Sequence, residues 1–225
     1  MDNMSPGRWR YTQAYLAEVF GVEEEAARGI RLRSQRAGLD PIAVRGDAGR
    51  FLTLLARMTD TRTAVEVGTL GGYSAWHIVR GLGPEGHLIT IERNPRTAEV
   101  ARQNLADAGI ADRVRQEIGP ALEVLPRLAA ELGPRSVGFV FLDADKTEYA
   151  AYWTHLKPLL AEGGLLVADN VLGTGRWWID DETYPGRVAV DSFNRAVASD
   201  PELEVAGLLV GEGLLLARRG RPGGR

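Results

Sequence analysis

The sequence predicts a doubly wound α/β fold whose mostly parallel sheet is covered by helices on both faces and finished by an antiparallel hairpin. Three features lead there. From about residue 64, apolar strand-like runs alternate with helix-period segments, the signature of a sheet buried on both sides. Three of those runs end in residues suited to ligands: Gly68-Thr69-Leu70-Gly71-Gly72 after the first, then Asp143 and Asp169-Asn170 after two later ones. Open α/β folds bind at that carboxyl edge. The chain closes on the apolar runs 203–210 and 214–218 around Gly211-Glu212-Gly213, a spacing short enough for a hairpin.

Strands are expected at 64–67, 87–91, 113–118, 137–142 and 164–168. After the glycine turn a helix begins near Ser74, which is a candidate cap. After the second strand, Asn94 caps a helix with Pro95 at its first position. Ala98, Ala101, Leu105 and Ala108 share one face of it and Gly109 stops it. The next helix, from Pro120 to Gly133, carries Pro126, so a kink or a shortened first segment is expected. Tyr149, Tyr152, Trp153, Leu156 and Leu159 then recur at three- and four-residue intervals, an amphipathic helix that Pro158 ends. The first sixty residues read as helices, the last capped by Asp47 with Phe51, Leu54, Leu55 and Met58 on one stripe. This appendage covers a cofactor mouth, joins two copies, or serves packing alone.

A chain of 225 residues with 44% hydrophobic content can bury one substantial core, and no linker divides it. One domain is expected: a helical appendage at 1–60, an α/β core at 61–219 and a tail at 220–225, where Arg218, Arg219, Arg221 and Arg225 make a locally basic end. With 27 basic against 30 acidic residues and a net charge of −3, the chain lacks the basic excess of a nucleic-acid partner. It has no cysteine, which leaves oxygen or imidazole to hold any metal, and His77, His87 and His155 show no ligand spacing. No apolar run approaches the ~20 residues that span a bilayer, and the start lacks a secretory segment. No membrane partner and a cytoplasmic location are expected.

Gly68, Gly71 and Gly72 let the backbone after the first strand turn tightly and approach a ligand closely. The spacing is not G-x-G-x-x-G, which argues against a nicotinamide or flavin pyrophosphate. Glu66, just before the turn, suits instead the cationic amino-acid portion of S-adenosylmethionine. Glu92, at the end of the second strand, fits an acid that grips ribose hydroxyls. Ser74 is placed to cap the helix, to contact the cofactor carboxylate, or both.

If the strands ending at 142 and 168 are neighbours, their tips lie about 4.8 Å apart, and Asp143 and Asp169 can share one cation with Asn170. Mg²⁺ takes about six oxygens, so three protein ligands leave room for water and for two adjacent substrate hydroxyls. Lys146 can accept the released proton, provided that desolvation or the metal lowers its pKa from about 10.4. Asp145 reads as supporting structure. Asp and Asn after a strand also suit plain turns; the agreement of two acidic strand ends, a lysine and the glycine turn favours a single site.

These residues resemble the cation-dependent O-methyltransferase family that includes catechol and caffeoyl-CoA O-methyltransferases. The likeness runs from about Asp40 to Arg218 and is most specific at Glu66-Val67-Gly68, Gly72-Tyr73-Ser74, Asp143-Ala144-Asp145-Lys146, Asp169-Asn170-Val171-Leu172 and Phe193-Asn194. It implies a Rossmann-like class I methyltransferase with a seven-stranded sheet, metal ligands Asp143, Asp169 and Asn170, and Lys146 as base. Cofactor contacts are implied at Val44, Glu66, Gly68, Thr69, Gly72, Ser74, Glu92, Ala121 and Asp143. It also implies a small aromatic acceptor and a homodimer. Many relatives carry tryptophan where this chain has Gly173; the nearby Trp177 and Trp178 are candidates to stack on the acceptor, with local packing or a dimer contact as alternatives. The competing readings are a metal-independent methyltransferase, a nucleic-acid methyltransferase or binding module, and a nicotinamide oxidoreductase.

Overall fold

The computed structural model describes residues 5–20 and 23–220; the chain start and the basic end from residue 221 lie outside the described residues. The elements in chain order are α1 (Pro6–Phe20), α2 (Glu25–Arg36), α3 (Gly46–Met58), β1 (Thr63–Val67), α4 (Tyr73–Gly81), β2 (His87–Glu92), α5 (Pro95–Asp107), β3 (Val114–Ile118) and α6 (Ala121–Leu132). They continue as β4 (Val137–Leu142), α7 (Tyr149–Leu156), β5 (Leu160–Asp169), β6 (Gly173–Thr174), β7 (Trp177–Trp178), α8 (Pro185–Ala198), β8 (Leu203–Leu208) and β9 (Leu214–Arg219).

Seven strands form one sheet in the order β3-β2-β1-β4-β5-β9-β8. All neighbours pair in parallel up to β5, and β9 and β8 are antiparallel, as the sequence predicts. The chain winds from β1 outward to β3, then crosses back to β4 on the other side of β1. That reversal opens a crevice beyond the carboxyl ends of β1 and β4, the position where doubly wound sheets bind ligands. Alternate strand residues feed two cores. Val65, Ile91, Val140 and Leu166 pack under α6, α7 and α8, whereas Ala64, Leu88, Phe139 and Val167 pack under α2 to α5. No helix among the described residues is long and apolar enough to cross a membrane.

Local expectations meet three kinds of outcome. Asn94 caps α5 as expected, accepting from the Arg96 and Thr97 amides. At the start of α4 the cap is Gly72 in the left-handed region, not Ser74. The cap of α3 is Arg45, and Asp47 lies in its first turn. The stripe proposed for α3 is also rotated: Ala48, Leu52, Leu55 and Ala56 face inward, while Leu54 and Met58 are exposed. This happens because α3 packs against α4, whose Gly81 admits the α3 backbone at Thr53 and Arg57. α6 runs unbroken through Pro126, which forfeits a single backbone bond one turn from the helix start. β5 begins at Leu160 rather than 164 because Leu160 pairs with Val137 before a register shift. The N-terminal segment is more than an appendage, since Ala27, Ile30 and Val44 belong to the core beneath α4 and α5. α1 alone buries none of its side chains.

One contact ties the two halves of the sheet at the crevice. Gly68, at φ +100°, lies so close to the Asp143 carbonyl that a Cβ there would overlap it, and the Asp143 amide donates to the Val67 carbonyl at 3.0 Å. Gly68→Ala is expected to lower stability by about 3 kcal/mol through combined backbone strain and overpacking. Denaturant unfolding of the two proteins measures this directly.

Candidate active site

β1 delivers Glu66 to the crevice with its side chain fully enclosed. Oε2 accepts from the Thr90 hydroxyl at 2.6 Å, and Oε1 has no hydrogen-bond partner among the described residues. Burial pushes its pKa up to about 8; the Ser74 and Thr90 hydroxyls oppose the rise and the charges of Asp143 and Glu92 add to it. A buried acid with one bare oxygen is expensive unless a ligand completes it. The loop that follows is fixed by Glu92, whose Oε2 accepts from the Leu70 amide at 3.0 Å and whose Oε1 accepts from the Asn94 amide at 2.9 Å. A carboxylate has about four acceptor positions, so Glu92 can still hold ribose hydroxyls.

The remaining sites implied for the cofactor gather around this loop. The Gly119 amide donates to the Glu92 carbonyl at 2.9 Å, which brings Ala121, the first residue of α6, to the same edge. Val44 is tethered from the other side: its carbonyl accepts from Arg31 at 3.0 Å, and Arg31 also binds Glu23 at 2.8 Å. Glu23 in turn accepts from the Tyr73 hydroxyl at 2.7 Å, and the Arg31 guanidinium covers the Tyr73 ring at 4.1 Å. A second tie runs through Asn104, whose amide donates to the Gly71 carbonyl at 2.9 Å and to Ser34 at 3.0 Å. α2 is thus bolted to both sides of Gly72.

Beyond β4 and β5 lies the acidic group. Lys146 Nζ donates to Asp143 Oδ1 at 2.6 Å and to the Tyr149 hydroxyl at 2.9 Å. The Tyr149 hydroxyl stands 3.0 Å from the carbonyls of both Leu142 and Asp169, so one buried phenol spans the two strand tips. Asp169 is buried, and its Oδ1 accepts from the Asn170 amide at 2.7 Å. Burial and then the neighbouring Asp143 charge push its pKa up to about 7, against the pull of Lys146. Asn170 turns through φ +57°, and its Nδ2 donates to Glu212 at 3.0 Å. That bond assigns the amide nitrogen to Glu212 and frees Oδ1 for another partner.

These donors fit a hard divalent cation: two carboxylates whose mutual repulsion it would relieve, and an amide oxygen whose nitrogen is already spoken for. No three His, Cys, Asp or Glu gather to hold a metal among the described residues, so a three-ligand site here would have to include the amide. Burial alone does not meet the condition set on Lys146 as base. Lys146 does not have a lowered pKa; burial acts that way, but the Asp143 charge and the Tyr149 hydroxyl outweigh it and hold Nζ protonated. Asp145 serves the chain itself, accepting from the amide and hydroxyl of Thr147.

The two tryptophans part company. Trp177 is buried, stacked on Tyr184 with 6.4 Å between ring centroids, and is unavailable as an exposed platform. Trp178 stays exposed at 39%. Its ring lies where a side chain at Gly173 would go, across the β6–β7 hairpin. Sequence reasoning missed Thr90, Tyr149 as a polar group, Arg31 and Glu212. Glu212 carried a signal, an acid in the hairpin turn at the sheet's carboxyl edge. A threonine in a strand or a tyrosine on an apolar stripe carries none.

A family profile described as O-methyltransferase matches residues 19–220. A catechol O-methyltransferase of Mycobacterium tuberculosis is 43% identical over 162 residues, covering 72% of this chain and 72% of its own. A second catechol O-methyltransferase, from Niastella koreensis, is 33% identical over 90% of this chain and 94% of its own. Among solved structures, the O-methyltransferase from Bacillus cereus in complex with SAH superposes with a TM-score of 0.85 at 29% identity, covering 93% of this chain and 97% of that one. The chain belongs to the O-methyltransferase family: it is an S-adenosylmethionine-dependent O-methyltransferase.

Proposed function

We propose that the enzyme methylates one hydroxyl of a catechol-like, vicinal-dihydroxy aromatic acceptor, with a divalent cation such as Mg²⁺ held by Asp143, Asp169 and Asn170. The observation that carries this reading is geometric: Asp143 and the buried Asp169 stand at the tips of neighbouring strands, bridged by Tyr149, and Glu212 holds the Asn170 amide nitrogen so that its oxygen is free. The two catechol O-methyltransferase relatives support the acceptor class. A bound Mg²⁺ supplies chelation of two adjacent oxygens and stabilisation of a phenolate.

The chain's own residues do the rest. Glu66 Oε1 receives the ammonium of the methyl donor and Glu92 the ribose hydroxyls. Lys146 Nζ, charged in its pair with Asp143, steadies the developing phenolate; to take the phenol proton it would first have to release one of its own to solvent, which a cation bound beside it would favour. Trp178 offers an aromatic face to the acceptor. The reaction needs no covalent enzyme intermediate; proximity and placed charge suffice. The metal-independent alternative has one observation in its favour, since Lys146 already neutralises Asp143 at 2.6 Å. We also propose a cytoplasmic homodimer, because α1 leaves Trp9, Tyr15, Leu16 and Phe20 exposed, an apolar surface suited to a second copy.

In methyl-transfer assays, catechol and caffeoyl acceptors are expected to react with Mg²⁺ and to stop in EDTA, and a monohydric phenol is expected to react poorly; full turnover in EDTA selects the metal-independent reading. Lys146→Ala should leave S-adenosylhomocysteine binding intact while kcat falls by about 10²-fold or more, and an unchanged kcat with a good acceptor rejects Lys146 as the proton-handling group. Cofactor affinity should depend on pH through Glu66. Below about 8 its carboxyl is neutral in the free enzyme, so affinity for the ammonium-bearing cofactor rises with pH and levels off above that value, which calorimetry across the range can follow.

A further inference from the structure

The protein satisfies half of Glu66. Thr90 lies directly across from it in the β1–β2 register, is itself fully buried, and donates to Oε2. The Thr90 oxygen is 2.5 Å from Thr69 Oγ1. A hydroxyl has one proton to give. When Thr90 spends its proton on the Glu66 carboxylate, Thr69 must be the donor to Thr90. The polarity of the chain is then fixed, Thr69 to Thr90 to Glu66, and it ends on Oε2. Oε1 has no hydrogen-bond partner among the described residues.

We propose that Thr90 is a positioning residue for the cofactor: backed by Thr69, it holds Oε2 of Glu66 so that the bare Oε1 is presented to the ammonium group of S-adenosylmethionine. The inference rests on the methyl donor and is independent of the cation. The groups facing Glu66 are Ser74 from α4 and Thr90 from β2, which favour its ionised form, and Asp143 beyond β4 and Glu92 at the end of β2, which oppose it. Thr90 is the group whose hydroxyl donates to Oε2, at 2.6 Å, while the Ser74 hydroxyl also favours the charged carboxyl. Without its hydroxyl, Oε2 would be buried with no donor, the neutral acid would be favoured, and the ammonium would meet an uncharged partner.

Calorimetric titration of the full chain with S-adenosylhomocysteine, on both sides of about pH 8, tests this. 5′-Methylthioadenosine, which has the nucleoside but no amino-acid arm, is the control ligand. Thr90→Val keeps the side chain's shape and removes the hydroxyl. It is expected to weaken S-adenosylhomocysteine about tenfold near neutral pH, the loss of one charge-assisted hydrogen bond. The rise in affinity should move to higher pH, and 5′-methylthioadenosine should bind unchanged. Thr90→Ser is expected to restore the wild-type profile. Wild-type binding by Thr90→Val at every pH overturns the proposal, as does an equal loss for both ligands or a serine variant as weak as the valine. Should Thr90→Val fail to fold, Thr69→Val removes the backing donor: a loss confined to S-adenosylhomocysteine supports the chain, and no loss refutes it.

Discussion

The close approach of Gly68 to the Asp143 carbonyl is the constraint on which the site depends. It exists because β1 and β4 are neighbours although they are far apart in sequence, and because only a residue without Cβ can pass that carbonyl at positive φ. The consequence is that the turn proposed to receive the methyl donor and the first of the acidic strand ends share a backbone contact. On the proposed reading, one rigid junction of the sheet would set donor and acceptor sites together, the precision that in-line methyl transfer demands.

Around that junction the protein concentrates negative charge in low-dielectric surroundings. Glu66 and Asp169 are buried acids raised well above their ordinary pKa values, and Lys146 is the one cation paired with Asp143 among the described residues. Carboxylates buried without full compensation reduce stability, and proteins retain such arrangements where ligands supply the missing charge. The two deficits match the two ligands proposed above: an ammonium at Glu66 and a divalent cation at Asp143 and Asp169. The surrounding polar groups, Thr90 on Glu66, Tyr149 between the strand tips and Glu212 on Asn170, leave particular oxygens unclaimed.

Much of this was legible in the sequence, and the reason is local. The glycine turn, the Asn94 cap, the acidic strand ends and the terminal hairpin each announce themselves within a few residues, because turn chemistry and strand ends depend on short-range sterics. What was not legible depends on contacts between distant segments. The α3 stripe was misassigned because leucines lie on both sides of that helix, and only its packing on α4 decides that Leu52 goes inward and Leu54 outward. The environment of Lys146 was not legible because Tyr149 counted as a core aromatic, and its hydroxyl's hold on Nζ is invisible in a periodicity. Likewise Trp177 and Trp178 are adjacent in sequence, yet the two-residue pairing of β6 with β7 buries one and leaves the other exposed.

The most direct test of the account is a Mn²⁺ titration of the S-adenosylhomocysteine-bound protein, followed by electron paramagnetic resonance. The account predicts one ion bound per chain, displaced by Mg²⁺ and lost in Asp169→Ala while S-adenosylhomocysteine remains bound. No bound ion in the wild type, or undiminished binding in Asp169→Ala, would contradict it.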